Sequence, residues 1–396
     1  MLEIGCHSCH SPALRGIATF ADLRRVTSDC RPWPGAGALA VCGVCGLLQK
    51  PVDALWQKDA KGIYDGYHMY HQSEEAEQRV VFDGGFERRS EVLLNWAKNA
   101  ISLPAHGRYL DYGCGNGASL RSAAIALSGW QLYGYEPHAR NPEAIRAIPG
   151  VEDLLTSFEP RQSFDFVTMI HVLEHIPDPV AALRGIKEIV AANGYLLVQV
   201  PYFIDSPYEL AVADHCSHFT MGSLGRIVEQ AGFAILSVAA DVVKREITLL
   251  AAPLPRGAAG IDVPDDGNAD VVAEAAEAQV AWLSQVVQTA KAAVRRPFGI
   301  FGTAIAGTWL FSHLETETDF FVDEDLSRAG GQFLERPVHA PQDAPAGAAV
   351  YIALNPDLAS AVRMRHMAKP VDWLLPPEWF RPEIEARRPS LRKAGS

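Results

Sequence analysis

The sequence lacks the long apolar segments and the excess of positive charge that several protein classes need. None of its apolar runs reaches the roughly 18 residues of a membrane-spanning helix, and the chain does not open with the basic-then-apolar order of a secretory signal. Lysine and arginine number 35 against 47 acidic residues, for a formal net charge of −12. This balance opposes the phosphate attraction on which nucleic-acid binding depends. We expect a cytoplasmic protein, a monomer or homodimer, that acts on a small molecule and binds neither membrane nor nucleic acid.

Cysteine is also sparse, but four of the seven cysteines fall in two C-x-x-C pairs, Cys6 with Cys9 and Cys42 with Cys45. Disulfides are rare in the cytoplasm. Two such pairs can present four thiolates to one ion, and four thiolates complete the tetrahedron of a structural zinc site. The spacing therefore predicts a structural zinc module, with a redox pair or a coincidence as the alternatives. Cys30 is expected to stay unligated.

A glycine-rich turn after an apolar strand is the main sign of a cofactor site. The sequence at 110–117 reads Leu-Asp-Tyr-Gly-Cys-Gly-Asn-Gly, and a second strand ends in an acid about twenty residues later. Such a turn lets backbone N–H groups approach a nucleoside cofactor, and the acid can accept hydrogen bonds from both ribose hydroxyls. Because Gly113, Gly115 and Ala118 also fit the dinucleotide pattern G-x-G-x-x-A, the turn alone leaves two cofactors open.

A third segment decides between these cofactors. The strand at 164–170 runs into His-Val-Leu-Glu-His-Ile-Pro-Asp-Pro at 171–179, and this segment together with the glycine turn resembles the class I S-adenosylmethionine-dependent methyltransferases. The resemblance implies that S-adenosylmethionine binds here and predicts structural roles for Glu174 and His175. It assigns to the cofactor the turn, the strand-end acids and the floor after the third strand: Asp111, Gly113, Gly115, Asn116, Gly117, Glu136, His171, Val172 and Leu173.

The alternation of strands and helices predicts an α/β fold in several parts. A chain of 396 residues is too long for one hydrophobic core. The predicted order is a zinc-binding module at 1–50, a bridging segment at 51–100, a Rossmann-like methyltransferase domain at 101–253, a linker and long helix at 254–295, and a smaller Rossmann-like domain at 296–396. Strands near 234–240 and 246–252 should form a terminal antiparallel hairpin.

This three-part order resembles the zinc-containing C-methyltransferases that act on nucleotide-linked deoxy-keto-sugars. The resemblance covers most of the chain, and it implies that a nucleotide-linked sugar lies between the central and C-terminal domains. Residues 323–332 resemble the family's Asp-x-x-x-x-Lys-x-Gly stretch only loosely.

The predicted acceptor chemistry depends on Asp214, His215 and His218. The sugar C-methyltransferases have Tyr-His-Glu-His-x-x-Tyr-Phe here; Asp214 and His215 match its Glu-His pair, whereas Val212 and His218 replace its tyrosines. We predict that His215 is the base, because histidine can act near neutral pH without a large pKa shift, with its tautomer fixed by Asp214 or another carboxylate. The alternatives are a buried structural histidine or a metal site in D-H-x-x-H.

C-methylation with His215 as base is the favoured function, and O-methylation of a sugar or secondary metabolite is the first alternative. A nicotinamide-dependent oxidoreductase is the second, because either the turn at 110–117 or a second strand, glycine turn and helix pattern, with its turn at 299–307, could serve a dinucleotide. A zinc-anchored scaffold whose methyltransferase domain has decayed is the alternative without an enzymatic activity.

Overall fold

The computed structural model describes residues 5–66, 79–82, 85–137, 139–158, 162–254, 260–264 and 266–379. Part of the bridging segment predicted at 51–100 and the end of the C-terminal domain predicted at 296–396 therefore lie outside the described residues. Among the helices of the described part, none is long and apolar enough to cross a bilayer. The described residues form three units, N-terminal, central and C-terminal.

The N-terminal unit consists of short antiparallel strands followed by one helix. Strand β4 pairs with β1 and β5, and β2 pairs with β3. The outer neighbour of β5 is a two-residue strand, β13, from the central unit, so one sheet joins both units. The elements are β1 (Leu14–Gly16), β2 (Arg25–Val26), β3 (Pro32–Trp33), β4 (Ala40–Cys42), β5 (Leu48–Gln49) and α1 (Ala54–Asp65), and β13 is Ser217–His218.

The central unit follows a short hairpin and contains a seven-stranded sheet. The order is β10-β9-β8-β11-β12-β15-β14, parallel except at β15, which runs antiparallel to both neighbours. The predicted terminal hairpin is confirmed. The elements are β6 (Arg79–Phe82), β7 (Gly85–Arg88), α2 (Arg89–Ala100), β8 (Arg108–Tyr112), α3 (Ala118–Ala126), β9 (Gln131–Tyr135), α4 (Pro142–Arg146), β10 (Val151–Leu155), β11 (Phe164–Ile170), α5 (Pro179–Ile189), β12 (Val190–Pro201), α6 (Met221–Gln230), β14 (Phe233–Ala239) and β15 (Glu246–Pro253).

The order of the strands creates a crevice at one edge of this sheet. The chain passes from β8 outward to β9 and β10, then crosses back to β11 on the other side of β8. Ligands of open α/β sheets bind outside the carboxyl ends of the strands at such a reversal. The glycine turn after β8 and the segment after β11 both lie at this edge.

A single long helix, α7 (Ala269–Ala293), connects the central unit to the C-terminal unit. Its 25 residues span about 37 Å, and the predicted long helix is confirmed. Gln279, which is fully buried within it, donates its side-chain amide to the carbonyl oxygens of Phe203 (2.6 Å) and Ile204 (3.2 Å). The helix thereby fixes the loop that follows β12.

The C-terminal unit is a second α/β sheet, with strand order β18-β19-β17-β16-β20-β21 and only β18 antiparallel to its neighbour. It contacts the central unit where the Asn355 side chain donates to Asp205 O (2.8 Å) and where Arg245 pairs with Asp357 (2.6 Å). Its elements are β16 (Phe298–Phe301), α8 (Ile305–His313), β17 (Phe320–Val322), β18 (Gln332–Phe333), β19 (Arg336–His339), β20 (Ala349–Ile352), α9 (Pro356–His366) and β21 (Asp372–Leu374).

Candidate active site

The glycine turn between β8 and α3 has the backbone that the prediction requires. Gly113, Gly115 and Gly117 have φ angles of +79°, +52° and +80°, a left-handed region that glycine enters without steric cost. At Gly113 a Cβ would also lie 2.5 Å from Cγ2 of Val172. The turn therefore packs directly on the segment after β11, where Leu173 is fully buried.

The polar residues predicted to bind the cofactor differ in their access to the crevice. Glu136 is half-buried, and its Oε2 accepts a hydrogen bond from the Gly115 N–H (3.2 Å). The side-chain oxygen of Asn116 accepts a hydrogen bond from the N–H of Ala118 (3.1 Å), the first residue of α3. Asp111 is buried, and its Oδ1 accepts from the Thr168 hydroxyl (2.9 Å). Glu136 thus lies on the accessible side of the turn, whereas Asp111 is bonded within the sheet, and its predicted role in cofactor binding stays a prediction.

His171 follows β11 with a φ of +54° and lies between two carboxylates. Its Nδ1 is 3.1 Å from Oε1 of Glu174, and its Nε2 is 2.6 Å from Oε2 of Glu246, which also pairs with Arg89 (2.7 Å). Burial opposes a charged imidazole here, but the two carboxylates outweigh burial and raise the pKa of His171 to about 9. The predicted cofactor floor is therefore positively charged at this position near neutral pH.

We expect the stabilisation that His171 provides to disappear in mildly alkaline solution. Its folded-state pKa of about 9 lies above the ordinary value of 6.5, so the stabilisation is complete below pH 6.5 and is lost as the pH rises through 9. The shift corresponds to about 3 kcal/mol. Urea denaturation of the wild type and of His171→Gln should show a difference in unfolding free energy that shrinks over this range. A difference independent of pH contradicts the assignment.

The residues at 212–218, here called the catalytic segment, follow β12 and pass close to this floor. Within the segment, His215 pairs with Glu209: its Nδ1 lies 2.5 Å from the carboxylate Oε1, and both side chains are buried. Burial and the adjacent His175 lower the pKa of His215 to about 3. Near neutral pH the imidazole is neutral, and with the Nδ1 proton donated to Glu209 its Nε2 remains a proton acceptor.

Asp214 does not orient His215, as one prediction had it, but pairs with His175. Its carboxylate accepts from the Ser28 hydroxyl (2.5 Å) and lies 3.3 Å from Nδ1 of His175. Although burial opposes it, the contact with Asp214 raises the pKa of His175. The ring of His175 meets that of His215 edge to face, with centroids 4.4 Å apart. The Tyr64 hydroxyl lies 3.0 Å from Nδ1 of His175. His175, predicted to be structural, is therefore part of the site.

Two groups among the described residues bring enough potential ligand atoms within 4.8 Å of one another to hold a metal ion. One comprises Glu174, His175 and His215. The predicted alternative of a metal on Asp214, His215 and His218 names the wrong residues, because the side chains of Asp214 and His218 turn toward the N-terminal unit instead. The other group is the cysteine set Cys6, Cys9, Cys42 and Cys45.

Residues 86–238 match the family model for a methyltransferase domain. The matched stretch contains the glycine turn, Glu136, His171 and His215. The central unit is a methyltransferase domain. The match confirms the prediction of a class I methyltransferase that depends on S-adenosylmethionine, and it argues against the nicotinamide oxidoreductase.

Relatives of the methyltransferase domain include enzymes of two types. The C-methyltransferase NovU of Streptomyces niveus is 26% identical over 184 residues, 43% of this chain and 43% of that protein. The ubiquinone biosynthesis O-methyltransferase of Xanthomonas campestris pv. campestris (strain B100) is 31% identical over 136 residues, 31% of this chain and 54% of that protein. The chain thus spans about half the length of the curated relatives it matches. A methyltransferase structure from Clostridium acetobutylicum ATCC 824 shares 11% identity at a TM-score of 0.35, over 42% of this chain and 91% of that chain.

Sequence reasoning missed Glu209, the partner of the predicted base. Glu209 lies on a short 3₁₀ turn, Pro207–Ala211, whose residues are all buried. A carboxylate in an otherwise apolar stretch is expensive to bury unless it is paired. That isolation was the available signal for a buried partner, but it does not identify the partner as His215.

The four cysteines of the N-terminal unit converge as predicted. The Sγ atoms of Cys6 and Cys45 are 3.4 Å apart and those of Cys9 and Cys42 are 3.5 Å apart. None of the four is in a disulfide. At Gly46, with φ +70°, a Cβ would lie 2.0 Å from the carbonyl oxygen of residue 267. Glycine is therefore needed beside the second pair, where the linker to α7 passes close to the cysteines.

The N-terminal unit holds the catalytic segment along its whole length. The sheet pairing of β5 with β13 fixes Ser217 and His218. Before this strand, the backbone and side chains bond to residues scattered over the N-terminal unit: Ala213 N–H to Val26 O, Trp56 Nε1 to Ala213 O, both Ser28 donors to Asp214, and Lys50 Nζ to the carbonyl oxygens of Val212 and His215. The position of His215 thus depends on a part of the chain outside the methyltransferase domain.

Substitution of Glu136, the acid predicted to bind the ribose, tests the cofactor site separately from the acceptor chemistry. We expect Glu136→Ala to weaken S-adenosylmethionine binding at least tenfold, because two hydrogen bonds to a charged group contribute about 1.5–3 kcal/mol each. Isothermal titration of the wild type, Glu136→Ala and the exposed control Glu143→Ala provides the measurement. An affinity of Glu136→Ala within about twofold of the control would remove Glu136 from the site.

Proposed function

We propose that the protein transfers a methyl group from S-adenosylmethionine to the carbon beside a ketone in a nucleotide-linked sugar. The observation that carries this proposal is the Glu209–His215 pair, a neutral imidazole with an available Nε2 next to the cofactor floor. The pKa of the neighbouring His175 is raised, whereas that of His215 is lowered. Two titratable groups whose pKa values are pushed apart in this way are suited to act as base and acid.

The chain's residues then have separate tasks. S-adenosylmethionine supplies an activated methyl group, so the protein has to align the reactants and remove a proton. His215 Nε2 takes the proton as the acceptor C–H bond breaks, and Glu209 stabilises the resulting imidazolium through Nδ1. His175, when protonated, stabilises the negative charge that develops on the ketone oxygen. Asp214 and Ser28 keep His175 oriented for this role.

O-methylation is the second candidate, since the ubiquinone biosynthesis O-methyltransferase is the relative with the higher identity of the two. A hydroxyl acceptor also needs one base, and His215 would suffice. The two reactions differ in which bond loses its proton. Only C-methylation requires the removal of hydrogen from carbon.

We place the nucleotide-linked acceptor between the methyltransferase domain and the C-terminal unit, in a cytoplasmic protein that acts as a monomer or homodimer. The support is a feature that both units share: a backbone N–H of the glycine turn after one strand donates to a carboxylate that follows the next strand. In the C-terminal unit, Gly302 has φ +96°, and Thr303 N–H donates to the carboxylate of Asp323 (2.9 Å), which follows the next strand. This repeats the arrangement of Gly115 and Glu136.

We also propose that the cysteine set binds a structural zinc ion. In a tetrahedral site with Zn–S bonds of about 2.3 Å, neighbouring sulfurs are about 3.8 Å apart. The sulfurs of the four cysteines lie between 3.4 Å and 4.8 Å from one another. Four thiolates fit zinc with only small side-chain movements, and they leave no position open for a substrate.

Deuterium exchange distinguishes the two methylation reactions. The protein is incubated with S-adenosylhomocysteine and a panel of nucleoside-diphosphate keto-deoxysugars in D₂O, and parallel samples receive labelled S-adenosylmethionine. C-methylation predicts solvent deuterium at the carbon beside the ketone and label in the product, both dependent on His215. Label transfer to oxygen without deuterium at carbon supports O-methylation and overturns the proposed acceptor atom.

A further inference from the structure

Lys50, a residue of the N-terminal unit, bonds directly to the catalytic segment. It follows β5 directly, its side chain is only 2% exposed, and its Nζ donates to Val212 O (2.6 Å) and His215 O (2.9 Å). Its backbone N–H donates to Cys216 O (2.9 Å). One buried lysine therefore fixes three backbone oxygens on both sides of the proposed base.

The same amino group begins a chain of polar contacts that ends at the base. Lys50 Nζ lies 3.0 Å from Nε2 of His218, and Nδ1 of His218 lies 3.5 Å from Oε1 of Glu209. That oxygen is the one 2.5 Å from Nδ1 of His215. An ammonium that donates to Nε2 leaves the His218 proton on Nδ1, directed at Glu209. Lys50 thus orients His218, and His218 shares its carboxylate with His215.

Charged groups from several elements face Lys50. Burial lowers the pKa of Lys50 to about 7, against the carboxylates of Glu209 and Asp214 and the thiol of Cys216, which favour the ammonium, while Arg25 opposes it. Near neutral pH the ammonium form is therefore substantially populated. Below about pH 7 the ammonium form predominates, and a positive charge then lies beside the catalytic segment.

The charge of Lys50 lowers the pKa of both histidines in this chain of polar contacts, His218 and His215. Burial and Lys50 lower the pKa of His218 to about 3. For His215, burial and His175 are the larger causes of its low pKa, Glu174 and Asp214 oppose them, and Lys50 lowers it further. A histidine kept unprotonated in this way is ready to accept a proton.

We propose that Lys50 is a positioning residue for the base: it holds the catalytic segment in place and, through His218 and Glu209, keeps His215 oriented with Nε2 available. The proposal rests on the function proposed for His215. It extends that function by making a residue of the N-terminal unit responsible for the readiness of the base.

The test compares Lys50→Met, which removes the charge and the donors, with Lys50→Gln, which keeps two N–H donors without the charge, and with Lys50→Arg. Lys61→Met, at an exposed position of α1, is the matched control. Histidine side-chain NMR titrations are recorded with S-adenosylhomocysteine bound. We expect the pKa of His215 to rise by about one pH unit in Lys50→Met and Lys50→Gln, and to stay near the wild-type value in Lys50→Arg and Lys61→Met.

Turnover with the acceptor identified by the exchange experiment gives a second measurement. Lys50→Met and Lys50→Gln should lose at least tenfold in kcat, with little change in KM or in affinity for S-adenosylhomocysteine, whereas Lys50→Arg recovers part of the loss. A folded Lys50→Gln protein whose kcat and His215 titration both match the wild type overturns the proposal. Failure of the function itself is distinguishable, because His215→Ala would then retain turnover, while the titration still reports on Lys50.

Discussion

His215→Ala is expected to lower kcat by about 10²–10⁴-fold, the contribution of a positioned general base, with S-adenosylmethionine affinity unchanged. The glycine turn and Glu136 are the predicted cofactor contacts, and Glu136 bonds to Gly115 whereas His215 bonds to Glu209. A selective loss of kcat therefore assigns His215 to proton removal. Methyl transfer from labelled S-adenosylmethionine to the accepted keto-sugar, with calorimetry of cofactor binding, provides both quantities.

The control for this prediction has to separate chemistry from the cost of altering a buried residue. His106→Ala, at an exposed position, should leave kcat unchanged. Glu209→Gln keeps a hydrogen-bonding partner for His215 but removes the charge that stabilises its imidazolium, so it should also lower kcat. Because the two residues act as a unit, the double variant should be about as slow as His215→Ala alone. Losses that simply add in the double variant contradict the pairing.

The sequence was sufficient to predict most of the central sheet. The strand at Phe164–Ile170 has the predicted bounds, because it is mostly apolar and the four residues from Phe166 to Met169 are all buried, as expected for a central strand covered on both faces. The sequence analysis missed β10, Val151–Leu155, since Glu152 and Asp153 interrupt its apolar pattern. Both acids are exposed at the outer edge of the sheet, where charged side chains protect an unpaired strand. Edge strands of this kind give a weak signal in a single sequence.

The sequence pointed to Asp214, His215 and His218 as candidate site residues, but it did not predict which side chains bond to them. Asp214 and His215 are neighbours in sequence, which favoured a pairing that the structure does not form. Asp214 instead bonds to Ser28, 186 positions away. Lys50 reaches His218 across 168 positions. Such contacts follow from the way β13 docks on β5, and neither two-residue strand has a periodicity from which that docking could be read.

The second large effect is expected from loss of the cysteine set. Cys42→Ser should abolish zinc binding and lower turnover about as much as His215→Ala, because a structural zinc contributes on the order of 10 kcal/mol to folding a small module. Without the module, β5 no longer pairs with β13, and Lys50, Trp56 and Ser28 no longer hold the catalytic segment. The segment then has few remaining partners to fix its position.

The cofactor site and the catalytic segment should respond differently to Cys42→Ser, and this difference identifies the role of the zinc module. Cys42→Ser should still bind S-adenosylhomocysteine, because the glycine turn and Glu136 belong to the central sheet. Cys30→Ser is the matched control, a buried cysteine outside the cluster, and it should keep both zinc and turnover. Metal analysis, calorimetry and the methyl-transfer assay are applied to the same preparations. A zinc-free Cys42→Ser protein with wild-type turnover contradicts the coupling, whereas lost zinc, lost turnover and retained cofactor affinity together assign the module to positioning His215.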